Sequence, residues 1–238
     1  DDGLVNAGTL TNDNGSTIDI DCTGDDGFVS DGGTTFNGFI AAATMNIGLN
    51  VATGDDGLFV ETGIFSNFSG AVVNIDNAGG DAIEVGNGAG GVLFNGDATI
   101  NVLGATGNAI TNTVNGAISS SGSDNDPILS VVNIFSGGAA CDGTHPISNA
   151  GGIVAGNCSV WNVNAKVDNT PGGTIQVDNA YWMQECGGAI SAMTSAADFI
   201  NHGVVYDPNR HFGHGTLLDN HDLVIDTDPS VSVSFCDE

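Results

Sequence analysis

The amino-acid sequence predicts an all-β protein: a parallel β-solenoid (β-helix) of roughly ten short coils, forming one domain over residues 1–238. Three observations predict it. The chain carries 37 glycines and only 5 prolines among 238 residues, with abundant Asn, Asp, Ser and Thr, a composition suited to many short strands and tight turns. A short phrase recurs along the chain: a polar or glycine turn, a small residue or proline, then an aliphatic residue. Between these turns, apolar and polar residues alternate with the period of a strand that buries one face.

The first coil is read from "NAGTLTNDNGSTIDI" (6–20), closed by the turn "GDDG" at 24–27. The same four residues return at 54–57, in "TGDDGLFV" (53–60), which aligns with "AGGDAIEV" (78–85), "ATGNAITN" (105–112), "DNDPILSV" (124–131), "GTHPISNA" (143–150), "TPGGTIQV" (170–177) and "CGGAISAM" (186–193). The apolar anchors are Phe28, Leu58, Ile83, Ile110, Ile128, Ile147, Ile175 and Ile190, with steps of 30, 25, 27, 18, 19, 28 and 15 residues. "STIDID" (16–21), "AVVNID" (71–76), "ATINVL" (98–103) and "GTIQVD" (173–178) supply the alternating strands.

One coil cannot bury its apolar face alone, so stacked coils must close the core together. Turn asparagines such as Asn77, Asn95 and Asn149 are candidates for amide ladders between coils. An antiparallel sandwich would show similar strands and turns but would not require the self-similarity. Regular coils are expected over 1–188. Beyond them come a short helix at 189–200 ("AISAMTSAADFI", with Ile190, Met193 and Ala197 on one face), a turn-rich loop over 207–229 and a last strand, "SVSVSF".

Charge excludes several partners. The chain has 29 acidic residues against two basic ones, Lys166 and Arg210, for a formal net charge of −27. Such a surface repels nucleic-acid phosphates and anionic membranes. No apolar run reaches the roughly 18 residues that a membrane span needs. The chain opens on "DDGLV" without Met, and the expectation is a mature, secreted, extracellular form. The five cysteines, Cys22, Cys141, Cys158, Cys186 and Cys236, lack CxxC spacing, which argues against zinc and thioredoxin chemistry. In an oxidising compartment the four later ones suit two disulfides of undetermined pairing, with Cys22 left free or bonded to a neighbouring subunit; the alternative is five reduced, buried thiols.

The segments 6–20 and "FSNFSGAVVNIDNAG" (65–79) resemble the N-x-G-x-L/I-x-N coils of secreted β-helix surface proteins of the haemagglutinin and autotransporter type. The resemblance covers about residues 3–180. It implies extracellular display, adhesion or a stalk-like structural role, and it carries over no catalytic residue.

Several constellations bear on chemistry. The paired carboxylates Asp25–Asp26 and Asp55–Asp56, set between glycines, are candidate calcium ligands, because hard cations prefer oxygen donors on flexible turns. Turn formation alone also explains them. No cofactor is required by the sequence; calcium is the one candidate. Together with "GHG" (213–215), the Asp pairs resemble elements of polygalacturonases, which makes a polysaccharide-degrading enzyme, with His214 in its cleft, the alternative function. Arg210 precedes that motif rather than following it, and a charge of −27 opposes an anionic sugar. His202, His211, His214 and His221 cluster with Asp207, Asp219 and Asp222, but no helix-borne metal spacing links them. Asn14, Asn67 and Asn157 lie in N-x-S sequons and are glycosylation candidates.

The reading is a non-enzymatic structural or adhesive surface protein. Its partners are further copies of itself, stacked head to tail into a filament, and surface glycans. A Cys22–Cys236 bond between subunits is one means of locking such a stack. A calcium-dependent adhesion module of a larger protein is a further alternative.

Overall fold

The structure is a computed structural model. It describes residues 1–87, 90–122, 130–134, 147–156, 158–163, 165, 167–169 and 173–184, and the strands within 199–206, 219–220 and 224–226. The chain winds as a parallel β-solenoid, and each complete coil contributes one strand to each of three faces. The first coil is β1 (Leu4–Asn6), β2 (Thr9–Asn12) and β3 (Thr17–Ile20); the second is β4 (Phe28–Ser30), β5 (Thr34–Asn37) and β6 (Thr44–Ile47). The third is β7 (Leu58–Val60), β8 (Ile64–Phe68) and β9 (Val72–Ile75), and the fourth β10 (Ile83–Val85), β11 (Val92–Gly96) and β12 (Thr99–Val102). The fifth is β13 (Ile110–Asn112), β14 (Ala117–Ser121) and β15 (Ser130–Ile134); the sixth is β16 (Ile147–Asn149), β17 (Gly152–Ala155) and β18 (Ser159–Val163). Then come β19 (Val167–Asn169), the long β20 (Thr174–Gln184), β21 (Phe199–Tyr206), β22 (Asp219–Asn220) and β23 (Val224–Asp226).

Every pairing among the described strands is parallel, which removes the antiparallel sandwich. The first face stacks seven strands, β1 to β19. The second and third faces join through the eleven-residue β20, which runs along both, and β21 with β22 and β23 extends them further. Roughly ten coils therefore corrects to seven levels on the first face, with two more on the other faces, among the described residues.

The anchors Phe28, Leu58, Ile83, Ile110 and Ile147 stack on the first face as expected. Ile175 does not join them. It lies on the second face, paired with Ile153 and Phe199, and Val167 takes the first-face position instead. Ile128 and Ile190 lie outside the described residues. The expected helix at 189–200 is contradicted at its end, where Phe199 and Ile200 open β21; its other residues, and the last strand at 230–235, lie outside the described residues.

The core is the sum of the columns. On the third face Met45, Val73, Ile100, Val132, Trp161 and Trp182 follow one another in register, all buried. The two indoles stack with centroids 5.2 Å apart and planes 11° from parallel, one coil apart. Each buried Val, Leu or Ile contributes roughly 1.5–3 kcal/mol relative to exposure. The inner corner between the second and third faces is polar. There Asn12 donates to Asn37 (2.8 Å), Asn37 to Asn67 (2.8 Å) and Asn67 to Asn95 (2.9 Å), all buried, and Asn95 donates to Ser130 Oγ (2.9 Å). A second buried ladder runs Asn112, Asn149, Asn169. Asn95 and Asn149 are thus ladder residues; Asn77 is not. Its backbone is left-handed (φ 50°) and its amide donates to the Gly48 carbonyl.

Candidate functional site

The turn before each first-face strand forms a corner that stacks from coil to coil. The two GDDG turns are in register, since Phe28 pairs with Leu58, and no inserted loop offsets them. The longer step between them is taken up earlier, in the connections 38–43 and 48–53. Carboxylates thread the corner vertically. Asp26 accepts the backbone N–H of Asp56 (3.0 Å), Asp56 accepts that of Asp81 (2.8 Å), and Asp81 accepts that of Asn108 (2.6 Å) and the Thr111 hydroxyl. A Cβ at Gly79 would lie 2.5 Å from the Gly54 carbonyl oxygen and 2.7 Å from that of Thr53, so glycine is required there for the corner to close.

This geometry regroups the four candidate ligands. Asp25 and Asp26 join Asp2, with ligand oxygens within 4.8 Å of one another; Asp56 joins Asp81 and Glu84 on the same criterion. Asp55 belongs to neither cluster. Asp2, Asp81 and Glu84 were missed at the sequence level. The alignment of "GDD" (54–56) with "GGD" (79–81) already places Asp81 over Asp56 and was the available signal.

Burial sets the electrostatics of the corner. It pushes Asp26 up to about 6, with the charges of Asp25, Asp55 and Asp2 adding to the rise and the Asp56 N–H opposing it. Burial likewise raises Asp56, reinforced by its hydrogen bond to Glu84 and by the charges of Glu84 and Asp81, against the Asp81 N–H. Glu84 is raised by burial and by neighbouring charges, while accepting that hydrogen bond lowers it. The two carboxyls are both raised and share their protonation as a pair. Such a corner has two chemical options: to keep protons, or to exchange them for a hard cation at its oxygens. The hydrogen bond between Asp56 and Glu84 closes this pair on itself, leaving between them none of the separation that glycoside-hydrolysing carboxyl pairs use.

The other candidates fall as follows. Asn14 is exposed on a left-handed turn (φ 57°). Asn67 is fully buried, and its amide donates to Ala71, Asn95 and Thr99, so the folded coil leaves no room for a glycan there. Asn157 lies outside the described residues. Cys22 is free and exposed, and Cys158 is disulfide-bonded. Cys141, Cys186 and Cys236 lie outside the described residues, as do the side chains of His202, His211, His214 and His221.

A second feature is the first coil itself. Among the described residues, β1, β2 and β3 pair with β4, β5 and β6. Leu4, Leu10 and Ile18 are inward-facing yet only partly buried, whereas Phe28 and Met45, one coil deeper beneath Leu4 and Ile18, are fully buried.

Comparison of this chain with protein-family models, curated proteins and solved structures gives no match. The fold defines the class, a parallel β-solenoid.

Proposed function

We propose that this chain is a non-enzymatic structural subunit of an extracellular surface, stacking head to tail into a filament. The observation that carries the reading is the stack itself: successive coils join by parallel strand edges in register, so a coil of another copy can extend the same columns. Such an edge is a template for another chain's strands. Contact between one end of a solenoid and the opposite end of a copy is heterologous and builds an open polymer. The resemblance of residues 6–20 and 65–79 to haemagglutinin-type and autotransporter-type coils supports secretion and an adhesive role. Cys22, free, exposed and just past β3, is placed to be bonded by a neighbour. The hydrogen-bonded carboxyl pair supports a structural corner over a catalytic one.

Negative-stain electron microscopy of the purified chain at raised ionic strength tests the proposal, with non-reducing gels of the same sample. Filaments with a coil-like axial repeat, and disulfide-linked oligomers lost in Cys22→Ser, are the expected result. Monomer by both methods overturns it.

A further inference from the structure

Outside the second face, three outward side chains form a ribbon that neither the core nor the corner uses. Phe36 on β5 stacks toward Phe68 on β8 (centroids 6.5 Å, 23°), and Phe68 meets Phe94 on β11 (5.2 Å, 52°). Phe39, in the turn after β5, leans on Phe36 (5.0 Å) and is 57% exposed. The ribbon borders a concavity of about 400 Å³ lined by Phe39, Phe68 and Phe94 together with Ser69, Asp97 and Ser121. We propose that this ribbon and concavity bind a neutral glycan, its pyranose faces lying on successive phenylalanine rings along the solenoid axis.

Four arguments converge on that ligand. Solvent-facing strand positions are stable with Thr or Val, so a contiguous line of phenylalanines on the outer surface marks a binding surface rather than a folding need. The lining is mixed. Aromatic ring faces carry negative potential and suit the C–H faces of a sugar, while a carboxylate and two hydroxyls at the rim suit its hydroxyls. An apolar peptide segment laid there would strip water from those polar groups without replacing it. Charge points the same way, because 29 acidic residues against two basic ones repel acidic glycans and nucleic acids. The rings also recur from coil to coil, which matches a ligand that is itself a repeat.

The site is preorganised. A Cβ at Gly96 would lie 2.6 Å from the Phe94 ring and 3.0 Å from the Phe68 ring, so the rings occupy the space that glycine leaves. The Phe39 turn is held from the coil before it. The Asp13 carboxylate accepts the N–H groups of Ile40 (3.0 Å) and Ala41 (2.7 Å). A rigid platform of this kind loses little freedom when a ligand arrives.

The inference deepens the surface-protein reading and rests on it, but it is measured separately from assembly. Affinity electrophoresis through gels containing β-glucan, mannan, xylan or polygalacturonate is run on wild type, Phe39→Ala, Phe68→Ala and Gly96→Ala. Circular dichroism and size-exclusion light scattering follow each protein, and filament formation is scored in parallel. Retardation by at least one neutral polysaccharide and none by polygalacturonate is expected. Affinity should fall about tenfold in Phe39→Ala, whose exposed side chain the fold does not need, and filaments should be unchanged. Three outcomes overturn the proposal: no retardation by any neutral polysaccharide, retardation that Phe39→Ala and Phe68→Ala leave intact, or a loss of self-association in those variants, which would make the ribbon an interface between copies. Loss of filaments with glycan binding retained would overturn the filament reading alone.

Discussion

Asp56 accepts the backbone N–H of Asp81, one coil further along, at 2.8 Å, and its carboxyl is hydrogen-bonded to that of Glu84. A carboxyl is thus used as a spacer between coils and held where its charge is costly. Asp56, Glu84 and Asp26 are all raised, first by burial. A carboxyl whose folded pKa lies above its unfolded value binds its proton more tightly in the native state. Its stabilising contribution is complete below the unfolded value and is lost as pH rises through the folded one. For Asp26 that window runs from 3.8 to about 6. Asp13 and Asp21 are shifted the other way, but both sit at the surface, where such shifts carry little. The melting temperature should therefore rise as pH falls from 7 to 5. Asp56→Asn keeps an acceptor for Asp81 and a donor for Glu84 without the charge. It should stabilise at pH 7 by about 1 kcal/mol and flatten the pH dependence. A melting temperature that falls on acidification over this range would contradict the assignment.

Asn67 links two neighbours in the buried ladder. Its carbonyl accepts from Asn37 and its amide donates to Asn95, with further bonds to Ala71 and Thr99. Asn67→Ala leaves buried polar groups of two coils without partners, and chemical denaturation should show a loss of about 2–4 kcal/mol. Asn67→Asp should be worse, because a carboxylate would face the Asn95 carbonyl. An effect below about 0.5 kcal/mol would mean that the ladder is not a structural element.

The coils were legible because most strands of the first face follow a glycine-containing turn and open on an apolar residue, as at Phe28, Leu58 and Ile83; Val167, preceded by "NVNAK", carries no such signal. The face to which an alternating strand belongs was not legible. Ile175 follows the same kind of turn, yet β20 continues across two faces, and period-two alternation is identical on all three. The acidic corner was half visible. The two GDDG turns announced themselves, but the Asp56–Glu84 pair depends on a 25-residue step from Leu58 to Ile83 that brings a lone strand Glu beside a turn Asp. Asn67 looked like a surface sequon, because nothing in N-F-S says that its amide is needed inside. The aromatic ribbon had a readable trace: Phe36, Phe68 and Phe94 each adjoin a ladder asparagine, Asn37, Asn67 or Asn95.

Trp161 stacks on Trp182 one coil further along the third face, and its indole N–H donates to the buried Ser120 hydroxyl at 2.6 Å. Trp161→Ala removes a fully buried ring and should cost about 3–5 kcal/mol in denaturant titration. Trp161→Phe keeps an aromatic stack but leaves that hydroxyl without its donor, and a loss of about 1–2 kcal/mol is expected. As these are the only two tryptophans, near-ultraviolet circular dichroism reports on the pair directly. An unchanged spectrum in Trp161→Phe would show that the indoles are not stacked in solution.

The first coil yields the sharpest test of assembly. Leu10 and Ile18 face inward from β2 and β3 and are only partly buried, so a charge there disturbs few contacts within the chain. Leu10→Lys or Ile18→Lys should leave the circular dichroism spectrum intact and cost about 1 kcal/mol or less in stability. Either should abolish filaments, because the lysine would have to be buried without a partner in the junction. Salt gives an independent check. Subunits of charge −27 repel one another, and screening shortens that repulsion to about 10 Å at 0.1 M, so the threshold concentration for assembly should fall as ionic strength rises. Assembly that persists in Ile18→Lys, or that weakens with added salt, would place the contact somewhere other than this edge.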